Sequence, residues 1–473
     1  MTHLKYSIFL FCLILSTGVA ASALPPAVAA ALKMAGVPAS AVVMEVQEIG
    51  APTPALRHGG AEAVNPASVM KLLTTYSALE ILGPAYRWRT EAWLAGDLKD
   101  GVLAGDLILK GGGDPRLSIE AFWLLLTQLR ERGIKEIHGK LVLDHSRFDV
   151  GNIAPGSFDN DATSPYNVTP DALLLNYKAV RFTLIPDAGA ARPRVLPTPR
   201  LAQMHIDNRI TLVDGPCGEW RDALTAEVES GGSLVLSGPY PRSCGEQTWN
   251  QGLYGHRDYV AGAFRQLWSE LGGSLTGDVQ DGATPANARL LAAADSPPLA
   301  EVIRDINKFS NNVMARLVFL TLGAESLADK SRAATPADGD SAVRAWLEKR
   351  QLVMPELVLE NGSGLSRRER ISADSLTRLL QLAWKSPLMP EFVASLPLVA
   401  VDGTMKKRLL DSGVAGQAHI KTGSLSNVKS MAGYVQAWDG RRYSLVFVAT
   451  HPKAAATKPA QDALLEWVWA GAK

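Results

Sequence analysis

Two motifs at opposite ends of the chain constrain its fold more than any other feature. Ser68-Val69-Met70-Lys71 lies near the start and Lys421-Thr422-Gly423 near the finish, with Ser310-Asn311-Asn312 between them. If the three share one site, the two ends of the chain must fold together. Half of the chain separates Ser68 from Ser310, far more than one compact domain needs between two parts of a site. The 473 residues also exceed the roughly 100 to 200 of an ordinary domain. The expectation is a principal domain interrupted by one or more inserted ones.

A Ser and a Lys three apart arise about once or twice by chance in a chain of this length. Two such pairs occur, at Ser68 and at Ser426-Asn427-Val428-Lys429. Local pattern separates them. Ser68 follows Asn65-Pro66-Ala67 and precedes Leu72, Leu73, Tyr76, Leu79 and Leu82, which recur at helical spacing until Gly83-Pro84. Asn65 then reads as an N-cap and Pro66 as a first-turn residue. Ser68 belongs to the first turn, among unpaired N–H groups at the positive end of the dipole, with Lys71 one turn further along the same face. The Ser426 pair falls between two strand-like runs, on a turn.

The residue types suit an activated serine. A hydroxyl is a weak nucleophile at neutral pH and needs a neighbouring base, which an ammonium cannot be. Lys71 must therefore be neutral at least transiently, and burial or a second cation such as Lys421 lowers a lysine pKa in that direction. Thr422 and Ser424 can hold a carboxylate, while Gly423 lets a bound chain approach the backbone without a Cβ. Ser310 could relay a proton to a leaving amine, and Asn312 could orient Lys71. Two backbone N–H groups, those of Ser68 and Ser424, are expected to hold the oxyanion.

Further segments accompany the motifs: Asn361-Gly362-Ser363-Gly364-Leu365-Ser366, Gly105-Asp106-Leu107 with Gly111-Gly112-Gly113-Asp114-Pro115, Leu396-Pro397-Leu398 with Asp402-Gly403-Thr404-Met405, and Ala432-Gly433-Tyr434 after Lys421-Thr422-Gly423-Ser424-Leu425. Together they resemble the class C low-molecular-mass penicillin-binding proteins, the D-alanyl-D-alanine carboxypeptidase/endopeptidase family that includes the penicillin-binding protein 4 group. The resemblance covers nearly the whole chain after its first residues. It implies a periplasmic serine peptidase acting on peptidoglycan stem peptides, acylated at Ser68, needing no cofactor and inhibited covalently by β-lactam antibiotics. It also implies that Asp161 and Tyr166 lie near the free amino end of the substrate's diamino acid; a plain polar turn before Pro165 is the competing reading. Two positions depart from the pattern, Asn311 and Asn361, where many relatives carry Asp. Asn361 is expected to weaken an acidic contact behind the site. Two rival outcomes use the same residues: a serine β-lactamase and a catalytically silent peptidoglycan-binding scaffold.

The expected architecture is α+β: a β-lactamase/DD-peptidase-like domain, an antiparallel sheet flanked by helices, interrupted by inserted α/β and small β domains. Residues 24–95 plus 296–473 form the principal domain, 96–177 plus 251–295 the insert, and 178–250 a nested β-rich domain marked by Pro186, Pro193, Pro197 and Pro199. Within the insert, Asp106–Leu109 reads as a strand, Ile119–Gly133 as a helix with Phe122, Leu125, Leu126 and Leu129 on one face, Ile137–Leu143 as a strand and Tyr259–Gly272 as a helix. Near the end, 418–422, 429–438 and 443–450 read as strands, with an Asp439-Gly440 hairpin turn and a helix over 459–469. Residues 41–46 form another strand.

Residues 1–23 read as a cleavable signal: Lys5, an apolar core from Ile8 to Leu15, and Ala21-Ser22-Ala23. Two of the three cysteines then remain, Cys217 and Cys244, an even pair expected to form a disulfide in an oxidising compartment and to stabilise its loop by about 3 kcal/mol. The net charge of +1 gives no reason to expect nucleic acid. At most a peripheral membrane contact through Trp467 and Trp469 is expected, with packing on the sheet the commoner use. Arg367-Arg368-Glu369-Arg370 reads as a solvated loop. The histidines include no metal-binding spacing, so no metal is expected.

Overall fold

The computed structural model describes residues 23–154, 156–229 and 233–473. Most of the segment expected to be a signal, residues 1–23, therefore lies outside the described residues. The chain opens with helix α1 (Pro26–Ala35), strand β1 (Val42–Glu48) and strand β2 (Leu56–His58), then reaches helix α2 (Lys71–Leu82). The helix begins later than the periodicity suggests. Ala67–Met70 form a 3₁₀ turn, and Ala67 has a left-handed φ of 49°. Asn65 caps that turn, accepting from the Ala67 N–H at 2.9 Å. Gly83 stops α2 with φ 83°, where its missing Cβ avoids the left-handed penalty.

The next residues build a mixed sheet. Strands β3 (Arg89–Lys99) and β4 (Val102–Lys110) form a hairpin, followed by helix α3 (Ile119–Glu131) and the short strands β5 (Glu136–Ile137) and β6 (Leu141–Asp144). The single strand expected over 137–143 is thus broken, at Gly139, whose Cα sits so close to the Gly105 carbonyl that no side chain fits. Helix α3 buries Phe122, Leu125, Leu126 and Leu129, the face its spacing predicts. Six strands follow: β7 (Val180–Ile185), β8 (Arg194–Thr198), β9 (His205–Val213), β10 (Thr225–Val228), β11 (Ser233–Pro241) and β12 (Gln247–Gln251). They make two three-stranded sheets, β12-β7-β8 and β10-β11-β9. Cys217 and Cys244 are joined by a disulfide there. Helix α4 (His256–Glu270) and strands β13 (Ser274–Leu275), β14 (Val279–Asp281) and β15 (Arg289–Asp295) return to the mixed sheet, ordered β13-β5-β4-β3-β15 with β6 and β14 attached at β4. All three sheets share one apolar core, running from Leu107 and Phe264 to Phe182 and Leu236.

The remainder is helical before it is stranded: α5 (Leu299–Phe309), α6 (Asn312–Ser326), α7 (Pro336–Lys349), α8 (Ala373–Lys385) and α9 (Met389–Ser395), then β16 (Ala418–Leu425), β17 (Val428–Gln436), β18 (Arg442–Thr450) and α10 (Lys458–Trp469). The strands form a wholly antiparallel sheet, β16-β17-β18-β1-β2, in which Val42 faces Ala449 and Glu48 faces Tyr443. One face packs on α2 and α5 to α8 through Tyr76, Phe319, Trp346 and Val446. The other packs on α1 and α10 through Val28, Leu464, Leu465 and Phe447. Trp467 and Trp469 lie half-buried against this second core. Among the described residues no helix is long and apolar enough to cross a membrane.

Candidate active site

The three motifs converge where α2, the α5–α6 junction and edge strand β16 meet. Ser68 is half-buried in the 3₁₀ turn. Lys71, at the first position of α2, is fully buried and has three oxygen neighbours: Ser68 Oγ at 2.9 Å, Asn312 Oδ1 at 2.7 Å, and the Ser363 carbonyl. Burial, then the Lys421 charge, pushes its pKa well below the ordinary lysine value. A neutral amine has two N–H donors and one lone pair. The Asn312 and Ser363 oxygens can only accept, so they take the two donors and the lone pair is left facing the Ser68 hydroxyl.

Lys421 is also fully buried, and burial lowers its pKa to about 7. It donates to Ser310 Oγ at 2.9 Å and to the Thr422 carbonyl at 2.6 Å. Ser310 ends α5 in a left-handed conformation, φ 57°, which turns its hydroxyl toward the strand and away from its own helix. Asn311 then starts α6 as N-cap, accepting from the Met314 N–H at 3.1 Å. The middle residue of this motif thus fixes the helix start that aims Asn312. Thr422 Oγ1 lies 2.7 Å from Thr404 Oγ1, and Ser424, on an exposed stretch of β16, accepts from Lys429 Nζ at 2.8 Å. The second Ser-x-x-Lys pair therefore does sit on a turn, but its lysine reaches the site. Gly423 packs against the Ser68 turn; a Cβ there would lie 2.9 Å from both Ser68 N and the Pro66 carbonyl oxygen. Ser430, behind it on β17, donates to that carbonyl at 2.6 Å.

A cavity of about 470 Å³ opens over Ser68, lined by Ser310, Asn312, Thr404, Thr422, Gly423, Ser424, Asp159, Tyr166 and Arg367. Tyr166 is 43% exposed and its hydroxyl donates to Asp159 Oδ2 at 2.7 Å. Asp161 is not part of this lining. Its carboxylate accepts from the Thr163 and Ser164 N–H groups and from the Ser164 hydroxyl, so it shapes the loop. The Asp-x-Thr-Ser order is itself the signature of such a side-chain-capped turn. Asp159, two residues earlier, is the acid that faces the cavity. Against the upward push of burial, hydrogen bonds from Tyr166 and Asn167 hold it below the usual carboxylate range.

The run Arg367–Arg370 is not a solvated loop throughout. Arg367 lies over the Phe158 ring at 4.7 Å, at the cavity wall. Glu369 is fully buried. Its Oε1 accepts from the N–H groups of Glu360, Asn361 and Gly362 at 3.3, 3.0 and 2.9 Å, which holds the loop whose Ser363 carbonyl meets Lys71. Burial raises its pKa and these N–H groups and Lys71 oppose the rise. The buried acid behind the site is Glu369. Asn361 accepts from Ser363 N at 2.9 Å and donates to the Leu365 carbonyl at 2.9 Å. Among the described residues no group of three or more His, Cys, Asp or Glu side chains is placed to hold a metal ion.

Residues 25–470 match the D-Ala-D-Ala carboxypeptidase 3 (S13) family. The chain belongs to that family. This S13 peptidase is 28% identical over 402 residues to a D-alanyl-D-alanine carboxypeptidase of Actinomadura sp. strain R39, covering 80% of this chain and 72% of the relative. Its fold is that of penicillin binding protein 4 of Haemophilus influenzae, with a TM-score of 0.77 at 24% identity over 90% of this chain and 96% of the other. A second structure of that protein, complexed with a novel β-lactam, aligns with a TM-score of 0.72 at 22% identity, over 90% and 96% of the two chains. The α+β, β-lactamase/DD-peptidase-like fold expected from the motifs is the one observed.

Proposed function

We propose that this S13 peptidase is a serine D-alanyl-D-alanine carboxypeptidase and endopeptidase that cuts peptidoglycan stem peptides through an acyl-enzyme on Ser68. The observation that carries the reading is the 2.9 Å approach of Lys71 Nζ to Ser68 Oγ, with the other two oxygens around that amine unable to donate. Lys71 takes the hydroxyl proton as Ser68 Oγ bonds to the penultimate D-alanine carbonyl. The oxyanion is held between the N–H groups of Ser68 and Ser424. Ser310, fixed by Lys421, passes a proton to the leaving amine, and the Lys421 charge with Thr422 and Ser424 receives the terminal carboxylate. Water then hydrolyses the ester. Each role is a matter of position, and the short distances within one pocket favour it.

The diamino end of the substrate fits the wall formed by Asp159, Tyr166 and Arg367. Asp159 would pair with the ammonium, replacing Asp161 in the role expected from sequence, and Tyr166 would pack on the stem. The β-lactam bound by the Haemophilus relative supports covalent capture of such drugs by Ser68 here. The signal-like pattern of residues 1–23 supports a periplasmic location, with at most peripheral membrane contact.

Intact mass after penicillin treatment, with peptide mapping, tests the proposal. A stable single adduct on Ser68, absent in Ser68→Ala, is the expected result. Antibiotic consumed without a lasting adduct would make the protein a β-lactamase; antibiotic left intact without an adduct would make it a silent scaffold.

A further inference from the structure

A second cavity, of about 440 Å³, lies on the far side of the Ser310–Asn312 turn from Ser68 and shares Tyr166, Ser310 and Asn312 with the first. We propose that it receives the leaving half of a cross-linked substrate, the peptide whose side-chain amine is released when the cross-link is cut. The inference rests on the Ser68 acyl-enzyme proposed above and names the site that makes the protein an endopeptidase as well as a carboxypeptidase.

Position is the first argument. In the proposed reaction the Ser68 Oγ–carbon bond forms and the carbon–nitrogen bond of the cross-link breaks. The hydroxyl proton goes to Lys71; Ser310 delivers its proton to the departing nitrogen and is reprotonated by Lys421, and the peptide leaves as a free amine. Water later adds to the ester, giving a D-alanine carboxylate; Ser68 recovers its proton from Lys71, and the two water protons go to Lys421 and to the released amine. The departing nitrogen therefore sits at Ser310, and whatever is attached to it must extend past the 309–313 turn. A free D-alanine fits within the first cavity. A peptide continues beyond the departing nitrogen, and the neighbouring space is far larger than one alanine requires and within the range of small-ligand sites.

Chemistry is the second. The walls carry an acid and a base, Glu120 at the start of α3 and Arg181 on β7, both exposed, with the amides of Asn176 and Asn250. Phe309, 69% exposed, stands at its mouth immediately before Ser310. A released stem peptide offers an ammonium, carboxylates and backbone amides to this set, which an uncharged sugar does not. The third argument is strain. Asn176, Tyr177 and Lys178 are successive left-handed residues, with φ of 47°, 55° and 51°, on or beside this wall. They are held there by Asn176 N–H to the Leu117 carbonyl at 2.7 Å and by Asn176 Nδ2 to Tyr259 Oη at 3.1 Å. Conformations of this kind persist where a site over-determines them, at ligand clamps among other places.

Purified cross-linked muropeptide dimer and linear pentapeptide, assayed side by side with the full-length mature protein and its Arg181→Glu and Phe309→Ala variants, test the site. Penicillin adduct formation on Ser68 is followed in parallel. The expected result is a kcat/KM for dimer that falls at least about tenfold further than that for pentapeptide in both variants. Equal losses on the two substrates, or none, would overturn the inference. So would a wild-type protein that releases D-alanine and leaves the dimer whole, with Ser68 still acylated by penicillin. Absence of the Ser68 adduct would instead strike at the acyl-enzyme itself.

Discussion

Gly364→Ala probes how the Ser68 turn is held. Gly364 has φ +80°, and a Cβ built on it would lie 2.7 Å from Ser68 N and nearer still to the Ala67 carbonyl. Non-bonded carbon contacts are comfortable at about 3.5 Å or more, so the 361–366 loop and the turn must part by about 1 Å. The left-handed backbone adds about 1–2 kcal/mol, and the forced separation a comparable amount. A shift of that size moves Ser68 away from Lys71, whose amine is tied to the same loop through the Ser363 carbonyl. Misplacement of reacting groups by about 1 Å costs roughly 100-fold. The assay is the second-order rate of Ser68 acylation by a fluorescent penicillin, with circular dichroism to show that the variant is folded. Gly416→Ala is the control, since its φ is +72° and nothing lies within 4 Å of the added Cβ. It should lose stability from the backbone alone and acylate normally. A Gly364→Ala protein that acylates within about threefold of wild type would refute the idea that this loop sets the nucleophile.

Four further outcomes are expected. Because burial brings Lys421 to about 7, its charge is lost as pH rises through that value, so kcat/KM for peptides with a free carboxylate should fall above about pH 7; a profile flat to alkaline pH would contradict this. Asp159→Ala should cut kcat/KM for peptides with a free diamino-acid ammonium about tenfold relative to their acetylated forms, by loss of a charge-assisted hydrogen bond, while Asp161→Ala should lower the melting temperature without changing that preference. Glu369→Gln should weaken the three N–H bonds to the 360–362 backbone, at a cost of about 3 kcal/mol, and, by removing a negative charge that favours protonated Lys71, move the acid limb of penicillin acylation to lower pH; stopped-flow acylation against pH reads the shift. Cys217→Ser should destabilise the β-rich insert by about 3 kcal/mol, seen as increased local hydrogen exchange in that region, with the Ser68 acylation rate retained.

Much of this could be read from the chain. The Ser-x-x-Lys and Lys-Thr-Gly motifs identified both lysines, and helical spacing after Ser68 separated its pair from the one at Ser426. What failed to show was decided by tertiary packing. Glu369 sits among three arginines, and nothing local distinguishes the one inward side chain of that run; its burial comes from the loop folding over α2. The left-handed turn at Ser310 hides behind an ordinary Ser-Asn-Asn. Asp159 and Asp161 are equivalent by composition, and only the Thr163-Ser164 cap assigns one to the loop and leaves the other to the cavity.

The pairing of β1 with β18 has a consequence for the order in which the molecule is made. The described strands of the other three sheets all precede Leu299, so those layers need nothing from the C-terminal part of the chain to close. The first strand has no such freedom and must wait for the last. A nascent chain that ends before β16 carries Ser68 and Lys71 but neither Lys421 nor the Ser430 hydroxyl that anchors the Pro66 carbonyl. The Ser68 turn consequently lacks its partners on β16 and β17 until those strands have joined the sheet, so the site is assembled last.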